Sequence, residues 1–407
     1  MARILVLNQY YPPDTSATAV IAREAICALA AAGHTVTVVA GRPSYQPTQR
    51  YGWRPLRRER DGDVTVERVG SFAFSRAGMA ARVANYLSYL LLAWLRGLVG
   101  PADVVVAMTD PPVAVVIAAL VARARGLPLV YNVRDLHPDM AAATGLIRPG
   151  IRLAIWDAVH RWALRRATRV IVLGEDMRRR IVAKGVPAQR VVVVRDGADV
   201  PDRVPPRANP LSSEVRCGFS FVVMHAGNLG FAGAWETLLE AGRSLAGPGT
   251  GLVFVGDGVV ADRLRSRAAG LPNVRFLPAR PASQVPDLLA AADLHVVTVR
   301  RGLEGLVVPS KLYPILAAGR PVLAVVPEES DVAAIVRRAQ CGWVADPDDP
   351  AAVAAAIEAA ARDRAALEEK GRCARRAAAE FQRSRALAGF VRVLEEAICL
   401  EATAAAL

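Results

Sequence analysis

The chain has 407 residues, is 53% hydrophobic but only 6% aromatic, and carries 51 Lys and Arg against 38 Asp and Glu, for a net charge of +13. That length provides two or three domains with sizeable cores, and the Ala-, Val- and Leu-rich composition suits parallel sheets covered by helices. The charge excess, most of it Arg, suits an anionic partner: nucleic acid, an acidic membrane surface or phosphorylated substrates. Cys27, Cys217, Cys341, Cys373 and Cys399 are scattered without a CxxC, and His34, His137, His160, His225 and His295 lack spacings such as HExxH. These patterns exclude a disulfide framework and a zinc motif, and the thiols read as reduced core residues of a cytoplasmic protein.

The N-terminal "MARILVLNQYYPP" lacks the charged start, long apolar core and cleavage site of a leader, and reads as a first strand. Asp14, Thr15 and Ser16 follow it, expected to cap a helix and offer its N–H groups to an anion; no GxGxxG is present. The helix "TAVIAREAICALAAAGH" closes at Gly33, and "TVTVVAG" and "GDVTVERVG" supply strands. The segment 83–100, "VANYLSYLLLAWLRGLVG", comes nearest to a membrane span but is short and interrupted by Asn85 and Arg96. With Arg76 and Arg82 upstream, it reads as an interfacial helix or, equally, as a buried domain helix.

"ADVVVAM", "PPVAVVIAALVARARGL" and "PLVYNVRD" give strand, helix and strand. The loop after the last of these packs Arg134, Asp135, His137 and Asp139 into six residues, a concentration of ionisable groups that points to binding or catalysis. "ATRVIVLGEDMRRRIVAKGV" and "RVVVVRDGAD" continue the βα alternation of a doubly wound sheet. A linker is expected over about 199–216, where four prolines interrupt the apolar pattern.

The pattern then restarts. "FSFVVMHAGNLG", "GLVFVGDG", "NVRFLPA" and "DLHVVTV" are strands, separated by the helices "WETLLEAGRSL", "VVADRLRSRAAGL" and "ASQVPDLLAAA". Gly227 and Gly230, then Gly256 and Gly258, would let backbone approach a phosphate, and Pro278–Pro281 would let a base lie against backbone. In "PSKLYPILAAGRPVLAVV", Pro309 and Ser310 open a helix that carries Lys311 at its start and ends at Gly319, before a buried strand. Together these loops form a site for a nucleoside diphosphate on one sheet edge. The C-terminal region from residue 350 is strongly helical.

Over nearly its whole length the chain resembles the family-4 retaining glycosyltransferases of the GT-B fold, closest to the bacterial O-antigen and capsular polysaccharide branch that includes fucosaminyltransferases. The resemblance rests on "QYYPPDTSATA", "AAAGHTVTVVAGRPSY", "RDLHPD", "AGNLG", "FVGDG", "VRFLPARP", "PSKLYPILAAGRPVLA" and "CGWVADPDDPAAVAAAI". It implies two Rossmann-like parallel-sheet domains facing a central cleft: 1–199 for the acceptor and 217–385 for the nucleotide sugar, joined by the linker 200–216, with a C-terminal helix, 386–407, packing back toward the first. It implies a UDP-sugar donor, often N-acetylated in this branch, a polyprenyl-diphosphate-linked or saccharide acceptor, and no obligatory metal or other cofactor. It places the enzyme in the cytoplasm, peripheral on the inner face of the plasma membrane, with an anionic membrane surface as partner and no nucleic acid.

On this resemblance, donor-binding residues are His225, Gly227, Asn228, Gly230, Gly256, Asp257, Gly258, Arg280, Ser310 and Leu312. Asp14, Thr15, Ser16, Arg134 and His137 face the acceptor. Asp135, Lys311 and Glu304 are the catalytic group, Asp135 toward the reacting sugar and Lys311 on the leaving diphosphate. The family's pair of glutamates eight residues apart falls on Leu306 and Pro314, which leaves Glu304 as a partial substitute, and no basic residue follows the "GNLG" turn. Two other readings stand beside this one: a UDP-sugar 2-epimerase of the same fold, and a non-catalytic nucleotide-sugar- or anion-binding protein.

Overall fold

The computed structural model describes residues 1–44, 51–75, 78–245 and 249–406; Tyr45 and Arg76, named above, lie outside them. The chain divides into two units. Unit 1 holds Met1–Leu173, Arg178–Val194 and Leu387–Leu407, and unit 2 holds Gly174–Met177 and Arg195–Ala386.

In chain order the first part contains β1 (Arg3–Leu7), α1 (Ala17–Ala31), β2 (Thr35–Ala40), β3 (Leu56–Asp61), β4 (Val64–Val69), α2 (Met79–Gly97) and β5 (Val104–Ala107). It continues with α3 (Ala114–Arg125), β6 (Leu129–Asn132), α4 (Asp139–Ala143), α5 (Ile151–Arg166), β7 (Arg169–Val172), α6 (Glu175–Ala183) and β8 (Val191–Val193). The sheet runs β3-β4-β2-β1-β5-β6-β7-β8. Every neighbouring pair is parallel except β3–β4. The central strands are near-continuous Val, Ile and Leu because helices cover both faces. The edge strand β3 reads LRRERD and has no apolar period, so the sequence gives no strand there. It is held instead by cross-strand ion pairs, Arg58–Glu67 at 2.9 Å and Arg68–Glu59 at 2.7 Å, on a charged edge that resists further pairing.

Unit 2 follows with α7 (Ser212–Arg216), β9 (Phe221–Ala226), α8 (Trp235–Ser244), β10 (Thr250–Val255), α9 (Ala261–Arg267), β11 (Val274–Leu277), α10 (Val285–Ala291) and β12 (Leu294–Thr298). Then come α11 (Leu312–Ala317), β13 (Val322–Val325), α12 (Asp331–Ala339), β14 (Gly342–Ala345), α13 (Pro350–Arg362), α14 (Arg364–Ala378) and α15 (Arg383–Ala406). Its sheet is wholly parallel, in the order β11-β10-β9-β12-β13-β14. In each unit the strand order reverses once, between β1 and β5 and between β9 and β12. Connections leaving such a pair diverge to opposite faces and open a crevice at the strands' C-terminal ends.

Several local expectations need correction. The stretch read as a linker ends in the helix α7. Helix α5 carries arginine and tryptophan around its circumference, so its apolar period is weak and it is not evident from sequence. The helix after Pro309 starts at Leu312 and has six residues, with Lys311 rather than Ser310 at its N-cap and no side-chain cap. Of the thiols, Cys341 and Cys373 are buried, Cys27 and Cys217 are half-buried and Cys399 is exposed; among the described residues none forms a disulfide.

Helix α15 begins in unit 2 and from Leu387 onward belongs to unit 1. There Phe390, Val393, Leu394 and Ala397 join Ile4, Val6, Ile26, Leu29 and Val38 in one buried cluster. The C-terminal segment thereby completes the core beneath β1. Leu394→Ala should accordingly destabilise unit 1 by about 2–5 kcal/mol in denaturant unfolding, the range for a buried leucine. A loss below about 0.5 kcal/mol, ordinary for a surface position, would remove this helix from the core.

Candidate active site

At the unit 2 reversal, β9 ends at Ala226 and its chain turns at Gly227, where φ is +136°. Gly256 makes the corresponding turn after β10, with φ +135°. The two turns interlock through backbone: Gly227 N–H donates to the Val255 carbonyl at 2.9 Å, and Leu229 N–H to the Asp257 carbonyl at 2.9 Å. A Cβ on Gly256 would stand 2.2 Å from the Gly227 oxygen, and one on Gly258 2.3 Å from the Leu229 oxygen. Only glycine permits this approach. Gly230 accepts a hydrogen bond from Trp235 Nε1 at 2.6 Å, which ties the end of the loop to α8.

Lys311, on the connection leaving β12, meets this loop. Its Nζ donates to His225 Nε2 at 3.3 Å, and its Cε and Nζ lie 3.3 and 3.5 Å from where a Gly227 Cβ would stand. His225 is buried on β9, with Trp235 edge-on at 4.7 Å and Phe254 at 6.4 Å. Burial and then the Lys311 charge hold the imidazole well below its usual pKa, so it is neutral and accepts the lysine's hydrogen bond. Burial alone lowers Lys311 to about 8. A half-buried ammonium beside glycine backbone is arranged to receive an anion.

The other expected donor residues divide. Asn228 and Asp257 are exposed on the same turns, and Asp257 Oδ1 accepts the Gly258 N–H at 2.8 Å. Ser310 is exposed, but the N–H groups of Leu312 and Tyr313 already donate to Pro309 and Ser310 carbonyls, so the anion site rests on the lysine and not on a capped helix. Two assignments are displaced. Leu312 is 1% exposed and belongs to the core, and Arg280 is ion-paired with Glu214 of α7. Leu306, at the first missing glutamate, is buried, and Pro314 lies within α11. Glu304 is half-buried in a tight turn that bridges to Val307, on the same connection as Lys311.

At the unit 1 edge, Ser16 caps α1, its Oγ accepting the Ala19 N–H at 3.1 Å. Asp14 does not cap that helix, since Oδ1 accepts the Ser44 N–H at 2.8 Å and so joins the loops after β1 and β2. Thr15 is exposed beside them. After β6, Arg134 N–H donates to Thr109 Oγ1 at 2.8 Å, which fixes that loop to the one after β5. Burial, the Asp110 charge and, in opposition, Arg134 leave Asp135 with its pKa raised to about 6. His137 stacks on Trp156 at 5.9 Å, and burial lowers it to about 4, so it is neutral. Asp139 is paired with Lys184 at 2.7 Å and leaves the candidate cluster.

Sequence reasoning missed Asp110 and Gln9. Asp110 lies just past β5, at the reversal, and its carbonyl accepts the Gln9 N–H at 2.9 Å. The Gln9 side chain is 1% exposed, and neither amide atom has a partner among the described residues. Their positions immediately after β1 and β5 were the available signal. Among the described residues, no group of three or more His, Cys, Asp or Glu is placed to hold a metal ion.

Residues 16–197 match the family described as glycosyl transferase 4-like domain, and residues 220–363 match glycosyl transferases group 1. The chain is 27% identical over 261 residues to probable glycosyltransferase WbjE of Pseudomonas aeruginosa, a match spanning 63% of this chain and 65% of that relative, just under two thirds of its length. It is 25% identical over 335 residues to the putative colanic acid biosynthesis glycosyl transferase WcaI of Escherichia coli K12, covering 78% and 81% of the two chains. Among solved structures, sucrose-phosphate synthase of Thermosynechococcus elongatus superposes with a TM-score of 0.75 at 16% identity, with both chains fully covered. HepE of Anabaena in complex with UDP-glucose gives 0.69 at 18% identity, covering 97% of this chain and 100% of that one. At such identities these likenesses show the fold, and they agree with the two parallel sheets described above. The chain belongs to the glycosyltransferases of the GT-B fold, with a glycosyl transferase 4-like domain in its N-terminal half and a group 1 domain in its C-terminal half.

Proposed function

We propose that the protein transfers a sugar from a UDP-sugar to a lipid-linked or saccharide acceptor in cell-surface polysaccharide synthesis, with retention at the anomeric carbon. The observation that carries this reading is the half-buried Lys311 ammonium against Gly227 and His225, where a diphosphate finds both charge and close backbone. HepE, a structural neighbour, is recorded with UDP and with UDP-glucose, and WcaI is described by its place in colanic acid synthesis. These support a nucleotide-sugar donor and a polysaccharide pathway.

In the proposed reaction, the bond from the anomeric carbon to the β-phosphate oxygen breaks and its electron pair leaves with UDP. The acceptor oxygen bonds to the anomeric carbon on the same face, and its proton passes to a phosphate oxygen. Negative charge grows on the departing diphosphate, so Lys311 acts more strongly in the transition state than in the ground state. Asp135, with Gln9 and Asp110 on the same sheet edge, orients the acceptor, a positional contribution that needs no protein nucleophile. No described helix is long and apolar enough to cross a membrane. We place the enzyme at the cytoplasmic side of a membrane, where a polyprenyl-linked acceptor presents its sugar.

Three outcomes test this reading. UDP at saturation should raise the melting temperature, as a ligand of the native state does, and a chelator should leave the rise unchanged; loss of the rise with chelator would contradict a metal-free donor site. UDP affinity should be governed by the Lys311 proton. With a free-state pKa of about 8, the lysine is charged below that pH, so affinity should fall by up to about tenfold per unit above it, a slope absent in Lys311→Ala. A wild-type affinity unchanged to pH 10 would assign the binding to another group. Asp135→Ala should abolish transfer while leaving the UDP-induced stabilisation intact, and wild-type transfer should decline below about pH 6 as Asp135 takes up its proton. Near wild-type turnover in that variant would remove Asp135 from the site. If UDP-sugar were instead consumed equally with and without acceptor, the epimerase reading would replace this one.

A further inference from the structure

Helix α2 turns Asn85, Tyr89, Leu90, Ala93 and Gly97 inward. Its outward side is not polar, as it is on an ordinary surface helix. Met79, Val83, Leu87, Leu91 and Leu95 follow one another every four residues and are all exposed, Leu87 by 62%, Leu91 by 55% and Leu95 by 50%. Phe72 and Phe74, stacked at 5.1 Å and also exposed, run alongside: Phe72 N–H donates to Ser88 Oγ and Phe74 N–H to Asn85 Oδ1.

Helix α5 repeats the arrangement. It buries His160, Ala163 and Leu164, and exposes Ile151 by 74%, Ile155 by 57% and Val159 by 40%, again at four-residue intervals. Helix α3 packs against both α2 and α5 and adds the exposed Leu120 between them. The three outward faces therefore form one layer, roughly 28 Å long on α2 by the helical rise of 19 residues.

Charge identifies what covers this layer. The three helices carry eight arginines and a single acidic residue, Asp157. That carboxylate is already paired with Arg161 at 2.5 Å and Lys184 at 2.6 Å. Arg82, Arg148 and Arg152 are exposed beside the apolar positions. An apolar stripe bordered by arginine and free of unpaired acid matches the acyl boundary and anionic headgroups of a bilayer.

We infer that α2, α3 and α5 of unit 1 form a single face that docks on an anionic lipid bilayer, with Leu87, Leu91, Ile151 and Ile155 entering the acyl boundary. The inference deepens the acceptor reading above by giving unit 1 its lipid surface, and its test separates the two. Because the leucines are exposed, Leu87→Glu/Leu91→Glu should fold, and the UDP-induced rise in melting temperature serves as the check. Wild-type protein should sediment with vesicles of phosphatidylcholine containing about one third phosphatidylglycerol, much less with pure phosphatidylcholine, and should be partly released by salt. The double variant should lose vesicle partitioning by about tenfold or more while keeping transfer to a water-soluble acceptor. Arg148→Glu/Arg152→Glu should weaken binding to anionic vesicles and leave binding to neutral ones unchanged. Equal sedimentation of wild type and leucine variant would overturn the assignment, as would a wild type that ignores anionic vesicles at low salt. A concentration-dependent dimer abolished by the leucine variant would give the face to a second copy of the chain. Vesicle binding without UDP binding would leave this face standing and remove the functional reading instead.

Discussion

The contact between the Lys311 ammonium and the turn at Gly227 depends on one feature of topology. Strands β9 and β12 are neighbours in the sheet, yet sixty-seven residues of chain lie between the end of β9 at Ala226 and the start of β12 at Leu294. At that reversal the β9 turn and the connection after β12 come together. Gly227 and Gly256 let the backbones close to contact, and His225 below them supplies a neutral acceptor that fixes the lysine without cancelling its charge. A carboxylate at position 225 would hold Lys311 as firmly and leave nothing for a phosphate.

The same logic of burial sets the chemistry at both sheet edges. Lys311 is lowered to about 8 and Asp135 raised to about 6, each chiefly because desolvation penalises its charged form. The two values bracket neutrality, so between them the lysine is cationic and the carboxyl anionic. A diphosphate arriving at Lys311 restores what burial removed, which favours the ligand that carries most negative charge. The charge of Asp110 adds to the effect of burial on Asp135, keeping a proton available to that edge at mildly acid pH.

Much of this was legible in the sequence. Valine-rich strands alternating with Ala- and Leu-rich helices pointed to the two sheets, with Gly227 and Gly256 at strand ends where ligands bind and Lys311 on the connection after β12. What was not legible depended on partners far away in sequence. Strand β3 has no apolar period, and its antiparallel pairing and ion pairs with β4 are evident only in the fold. Asp14 looked like a helix cap, but the Ser44 N–H claims it. Arg280 looked available to a phosphate, but Glu214 claims it, and Asp139 is claimed by Lys184. Helix α2 appeared equally suited to core and interface, and only its exposed face distinguishes them. Single residues beside strands identify an edge, whereas the pairing that spends or frees a charge is a property of the fold.

Calorimetry of UDP and uridine with the wild type and Lys311→Ala tests the central claim most directly, because it separates charge recognition from support of the loop. The account expects Lys311→Ala to weaken UDP by about 1.5–3 kcal/mol, the range for a hydrogen bond to a charged group, and to leave uridine affinity unchanged. An equal loss for uridine and UDP would mean that the lysine holds the loop and does not hold the diphosphate.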